Sequence, residues 1–233
     1  MKYFNTMNEF CKNMNIEFNQ NMYKKFILFM EELIKYNNKF NLTSIVKEDE
    51  IIKRHFLDSI SVLNYNIDVN SKICDVGTGA GFPGIPLKIL RSDLKVDLLE
   101  STVKKTMFLK HIIKELKLYN VNIINDRVEN VSHETLYREK YDYVISRAMA
   151  RLNKLIELSF ALVDVDGRYI ALKGNKCNEE LLEANTSISK MGGEVEQIIQ
   201  INEFNSNIII IKKIHTTDMV YPRKYNLILK KPL

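Results

Sequence analysis

The chain has 233 residues, 45% of them hydrophobic and 27% charged, which is enough apolar material for one full core and excludes a disordered chain. Its 34 basic and 29 acidic residues leave a formal charge of +5, and Cys11, Cys74 and Cys177 are too widely spaced for a disulfide framework or a zinc knot. No apolar run exceeds Phe26 to Met30 and the first eighteen residues contain no Arg, so no membrane span, signal or transit peptide is expected, and the expected location is the cytoplasm.

Residues 1–65 read as an α-helical appendage. Met22, Phe26, Phe29, Leu33 and Tyr36 recur at three- and four-residue steps and make one apolar stripe. A second helix is expected to start at Lys47-Glu48-Asp49, where acidic residues suit a helix N-terminus, and to run through Ser59. His55 and Asp58 fall one turn apart on it, as an intrahelical pair that packs the appendage or as a contact to a nucleic acid. The four histidines form no ligand pair at helical spacing, so no metal is expected.

After the polar link Asn64 to Asn70, residues 66–214 alternate short β-rich runs with helical ones, the mark of stacked βαβ units. The spacing predicts strands over Lys72–Val76, Lys95–Leu99, Val121–Asn125, Tyr141–Ser146 and Gly167–Leu172. It predicts helices over Gly84–Leu90, Val103–Leu118, Val128–Leu136, Leu152–Leu162 and Asn178–Met191. Glu194–Ile201 and Ser206–Ile211 follow without a helix between them and are predicted to pair antiparallel. The fold class is therefore α/β, a doubly wound, mostly parallel Rossmann-like sheet closed by an antiparallel hairpin, as in class I methyltransferases. Residues 215–233 form a basic tail, in which Tyr221-Pro222-Arg223-Lys224-Tyr225 interleaves rings suited to stacking on bases with cations suited to phosphates. A second basic cluster, Lys104, Lys105, Lys110, Lys114 and Lys117, reads as a solvated helix face or a polyphosphate contact.

The stretch Lys72 to Gly84 carries the chemistry. A strand ends at Val76 and glycines follow at Gly77, Gly79, Gly81 and Gly84, the arrangement that bares backbone to an adenosine-containing cofactor. Gly79 to Gly84 also satisfies Gly-x-Gly-x-x-Gly, so a nicotinamide or flavin oxidoreductase has to be weighed. Glu100, closing the second strand, suits ribose hydroxyls in either case. Two features favour S-adenosylmethionine: Phe82 intrudes where a pyrophosphate would lie, and Asp75 would repel a pyrophosphate but could hold the cationic end of a sulfonium-bearing amino acid.

Five ordered motifs carry a family resemblance. Arg54-His55-Phe56-Leu57-Asp58-Ser59, the run Asp75 to Pro86, Arg127-Val128-Glu129, Ser146-Arg147-Ala148 and Leu172-Lys173-Gly174 resemble the ribosomal small-subunit methyltransferase G family, also called glucose-inhibited division protein B. The resemblance covers most of the chain, from about Tyr36 to Lys224. It implies an S-adenosylmethionine-dependent enzyme that forms 7-methylguanosine in 16S ribosomal RNA. Cofactor contacts are implied at Gly77, Phe82, Glu100, Ser101, Thr102, Val128, Glu129 and Arg147. After Tyr221-Pro222-Arg223-Lys224 the family usually continues Pro-Gly-Thr-Pro, whereas this chain reads Tyr225-Asn226-Leu227-Ile228.

The local residues agree with that chemistry. The end of the fourth strand lacks the Asn or Asp with Pro-Pro-Tyr clamp used on exocyclic amines, and no cysteine nucleophile for a pyrimidine carbon lies near Ser146; Cys177 reads as an inert loop thiol. Guanine N7 needs neither device, since its lone pair is already nucleophilic, and catalysis reduces to alignment. Arg147 is the candidate catalytic residue, orienting cofactor or base. His55, Arg127, Arg151, Lys173, Arg223 and Lys224 are candidate contacts to RNA or the small subunit, with Lys173-Gly174 readable equally as a strand terminator. A monomer is expected. The competing reading is a non-catalytic, cofactor-gated RNA-binding assembly factor.

Overall fold

Apolar stripes and β-rich runs assemble into one seven-stranded sheet with helices on both faces. The structure, a computed structural model, describes residues 2–233. Helices α1 (Phe4–Asn13) and α2 (Gln20–Phe40) come first, and α2 is capped by the Asn19 side chain, which accepts from the amides of Asn21 and Met22. One continuous helical run follows: α3 (Glu48–Glu50), a π-helical stretch Ile51–Leu57 and α4 (Asp58–Ile60). The α/β part runs β1 (Lys72–Val76), α5 (Gly84–Leu90), β2 (Lys95–Leu99), α6 (Val103–Glu115), β3 (Val121–Ile124), α7 (Val128–Val131), β4 (Tyr141–Arg147), α8 (Leu152–Ser159), β5 (Val163–Lys173), α9 (Cys177–Lys190), β6 (Gly193–Ile201), β7 (Ser206–Lys213) and α10 (Tyr225–Lys230).

Strand order is β3-β2-β1-β4-β5-β7-β6, with β1 to β5 parallel and β7 antiparallel to both β5 and β6. The order reverses between β1 and β4, which is where ligands bind in open α/β sheets. Register aligns the site: Val76 lies opposite Leu99 on one side and Ser146 on the other, so Gly77 and Glu100 leave the sheet beside Arg147, the last residue of β4.

Alternation along each strand feeds two cores. Ile73, Tyr143 and Ile145 face a layer containing Phe26, Phe29, Phe56, Phe82 and Phe108, while Cys74, Val76 and Val144 face Leu155, Ile156, Phe160, Ile188 and Ile228. The N-terminal helices and the sheet thus share one core, and the boundary expected near residue 65 separates no packing units. All three cysteines are buried and free.

Three local expectations are corrected. The helix expected over Val128–Leu136 is a single turn, because the Ser132 carbonyl is taken by the Arg138 guanidinium and its hydroxyl donates to the Leu158 carbonyl. The strand expected from Gly167 starts at Val163, opposite an irregularity between Tyr141 and Tyr143. Residues 215–233 are also not a free basic tail: Arg138 donates to the carbonyls of Thr217, Asp218 and Tyr221, and Ile228 is buried.

Candidate active site

The loop after β1 is stitched to β2, since the amides of Gly77 and Thr78 both donate to the Leu99 carbonyl at 2.9 and 3.2 Å. Gly77 has a φ of +67°, and a Cβ there would meet Met149 Sδ at 3.0 Å, so the loop after β4 closes on this position only because it is glycine. Asp75 lies behind the loop. Its Oδ2 accepts the Thr78 hydroxyl at 2.6 Å and the Gly84 amide at 2.7 Å, capping α5. It is wholly buried, which pushes its carboxyl up to about 6 despite those two donors. Asp75 thus shapes the loop from within through Oδ2, while its Oδ1 is buried without a hydrogen-bond partner among the described residues.

In front of the loop lies a cavity of about 350 Å³ lined by Gly77, Leu99, Glu100, Ser101, Thr102, Val128 and Glu129, among others. Its size falls at the lower end of the roughly 300–1,000 Å³ usual for small-molecule sites. Glu100 accepts from the amides of Gly79 at 3.1 Å and Thr102 at 2.8 Å, which fixes its carboxylate at the end of β2. Glu129 Oε1 takes Arg127 Nε at 2.9 Å, while its Oε2 is buried without a donor. An acidic wall with one unused acceptor fits the hydroxyl and amino groups of an adenosine.

Phe82 is not among the residues that line this cavity. Its ring turns under the loop into the core, stacked on His55 at 4.5 Å and Phe29 at 5.1 Å, so the pocket-wall role expected for it is corrected. Gly79 and Gly81 have positive φ and complete the turn that reaches it.

A groove of about 930 Å³ runs on the other side of Ala148-Met149-Ala150, which border both spaces. Lys53, Arg54, Arg147, Arg151 and Lys173 line it together with Glu50, Asp58, Glu180 and Glu203. Arg147 is held from three directions: it donates to the Arg54 carbonyl at 2.9 Å, Asp58 Oδ2 at 3.1 Å and His55 Nδ1 at 3.1 Å. Since Nδ1 accepts, His55 Nε2 carries the proton toward Thr43 Oγ1 at 2.8 Å. Burial, reinforced by the Arg147 charge, pushes the imidazole down to about 4. His55 and Asp58 are thus no intrahelical pair; both are ligands of Arg147.

The other candidates divide. Lys173 donates to Glu180 at 2.8 Å and to the Ala150 carbonyl at 2.6 Å, bracing the partition from the groove side. Arg151 pairs loosely with Glu183 at 3.3 Å and stays half exposed, and Lys224 is exposed at the start of α10. Arg223 is corrected as an RNA contact, because its guanidinium is committed to both oxygens of the buried Glu157. Arg127, a candidate RNA contact, lies instead on the rim of the small cavity, 4.3 Å from the Tyr225 ring. Met149, Leu229 and Arg138 carry no sequence signal of a site role, and Tyr225, read as a ring for stacking on bases, lines the small cavity instead. A charged residue before a strand, such as Arg138, gives no local sign that four carbonyls converge on it.

Comparison with known proteins now decides the family. The sequence matches GidB, rRNA small subunit methyltransferase G, over residues 22–209. It is 43% identical over 236 residues, all of both chains, to the ribosomal RNA small subunit methyltransferase G of Clostridium kluyveri. The chain belongs to the rRNA small subunit methyltransferase G family. The relative of that name from Clostridium botulinum, strain Loch Maree, is 41% identical over the full length of both. The solved structure of a SAM dependent methyltransferase from Aquifex aeolicus superposes with a TM-score of 0.57 at 15% identity, covering 77% of this chain and 97% of that one. The fold is therefore that of class I methyltransferases. Among the described residues no cluster of three or more His, Cys, Asp or Glu is placed to hold a metal ion, and no helix is long and apolar enough to cross a membrane.

Proposed function

We propose that the protein methylates guanine N7 in 16S ribosomal RNA of the small subunit, with S-adenosylmethionine in the Glu100–Glu129 cavity and the target nucleotide in the basic groove. The observation that carries this reading is the shared wall Ala148-Met149-Ala150, which lets two ligands meet at one place. When bound, the cofactor supplies a methyl group on a positively charged sulfur. In transfer, the N7 lone pair forms the new C–N bond as the C–S bond breaks, its electrons stay on sulfur, and the purine gains the positive charge. No proton has to leave.

Around Arg147 and Lys173 the groups that could take a proton are already engaged, while Glu50 and Glu203, which also line the groove, have no cationic partner among the described residues. Asp58 is occupied by Arg147, Glu180 by Lys173, and His55 accepts from Arg147. What these residues contribute is position, and alignment of reacting atoms is worth on the order of 7–11 kcal/mol of barrier. Arg147, fixed by Arg54, His55 and Asp58, presents the rest of its guanidinium to the groove as a positioning group. Lys53, Arg54 and Arg151 supply charge for phosphates, whose neutralisation releases counterions.

The test is incubation with methyl-labelled S-adenosylmethionine and small subunits lacking the modification, followed by nucleoside analysis. Labelled 7-methylguanosine is the expected product. Label on another nucleoside would refute the N7 assignment, and cofactor binding without transfer to subunits or naked RNA would point to an assembly factor. Arg147→Ala is expected to lower turnover on the same substrate by about tenfold or more, as loss of a positioning contact does.

A further inference from the structure

The basic tail, read from sequence as an RNA arm, ends instead on the cofactor side. Every other stretch that lines the small cavity belongs to the α/β units around β1 to β4, but Tyr225 and Leu229 come from α10, some seventy residues further along. They sit one turn apart on the same face, and Ile228 between them is buried against the core. The helix is secured on both flanks. Arg223, just before it, holds buried Glu157 and the Lys231 carbonyl, and His133 Nε2 lies 2.8 Å from the Pro222 carbonyl. The Tyr225 ring is itself fixed by Arg127, whose Nε is bound to Glu129.

The direction of the cofactor follows from the two spaces. Its reactive end must face the partition at Ala148-Met149-Ala150, because only there does the groove adjoin the cavity. Its other end then points toward Ser101, Val128 and α10. We infer that α10 is the outer wall of the cofactor pocket, with Tyr225 and Leu229 covering the adenosine end of S-adenosylmethionine and Arg127–Glu129 holding the Tyr225 ring in place. This rests on the assignment of the cavity to the cofactor. Of α10, Tyr225 and Leu229 alone line the cavity, so the binding element is that one face of the helix.

The experiment is calorimetric binding of S-adenosylmethionine and S-adenosylhomocysteine to the full chain, with thermal unfolding of each unliganded variant. Tyr225→Ala/Leu229→Ala is expected to raise Kd for both by about tenfold or more, the scale of a lost base–aromatic contact, with the unliganded melting temperature nearly unchanged. Leu227→Ala, exposed on the same helix and not lining the cavity, is expected to bind as wild type does. Affinity within twofold of wild type in the double variant overturns the inference. A Glu100→Ala variant separates that failure from failure of the underlying assignment. Lost binding in Glu100→Ala with retained binding in the double variant removes only the wall, whereas wild-type binding in Glu100→Ala removes the cavity as the cofactor site.

Discussion

The N-terminal helices reach the sheet through a stack of rings, Phe26, Phe29, Phe56 and His55 around Phe82, whereas the C-terminal segment is fastened mainly by guanidinium groups, Arg138 on four carbonyls and Arg223 on Glu157. The first kind of joint spreads its energy over many contacts and tolerates imperfect geometry. The second concentrates it in a few donors, so that removing one partner strands the other without solvent. Both joints end at the site, the first at Arg147 and the glycine loop, the second at Tyr225.

The largest effect is expected at the aromatic joint. Phe82→Ala removes the ring shared by Phe29, His55 and the Arg147 cation, and a loss of about 3–5 kcal/mol in urea unfolding is expected. A loss under about 1 kcal/mol would mean that the helices hold the sheet elsewhere. Next comes the polar joint, where the two halves of one pair should differ. Glu157 is 0% exposed and Arg223 22%, so Arg223→Ala strands a buried carboxylate, costing about 3–4 kcal/mol. Glu157→Gln leaves a guanidinium that can turn to water, costing about 1 kcal/mol. Equal losses in the two variants would contradict the asymmetry.

A third prediction concerns pH. His55 titrates at about 4 in the fold against about 6.5 when unfolded, so the unfolded chain takes up the proton first as pH falls. Its contribution is present above pH 6.5 and lost toward pH 4, by about 2–3 kcal/mol. Asp75, raised to about 6, works in the opposite sense between roughly pH 4 and 6, since there the folded chain holds the proton. The quantity to measure is therefore wild type minus His55→Gln, which should fall steadily from pH 6.5 to pH 4; a flat difference would place the histidine in water. The smallest stability effect is expected for Arg151→Ala, within about 0.5 kcal/mol because its partner Glu183 is also exposed. The same variant should weaken RNA binding and reduce its salt slope by about one.

Much of the architecture was legible because it is local. The strands from Lys72, Lys95 and Tyr141 announce themselves by β-rich runs, and the glycines after Val76 mark the turn that any adenosine-binding sheet of this kind needs. The direction of a long side chain is not local. Arg147 at a strand end is compatible with facing cofactor, base or helix, and only the packing of the π-helical stretch, which brings Arg54, His55 and Asp58 to one place, decides it. Phe82 was misread for the same reason: a ring beside a glycine loop can turn outward or inward, and the stripe of α2 offered it a better partner. Arg223 and Tyr225 carried a plausible nucleic-acid composition, yet buried Glu157, set among Leu155, Ile156 and Leu158, was the hint that a cation had to come inward.

The three-residue partition Ala148-Met149-Ala150 separates two inventories of side chains that have almost nothing in common. On the proposed assignment of the two spaces, a lineage could redesign what it modifies by altering the groove, its depth or its cations, while the residues that hold the donor stay untouched. Conversely, a change in the partition itself touches both spaces at once, because its three residues line each of them. Such a layout makes the identity of the acceptor an evolvable trait and the donor a fixed one.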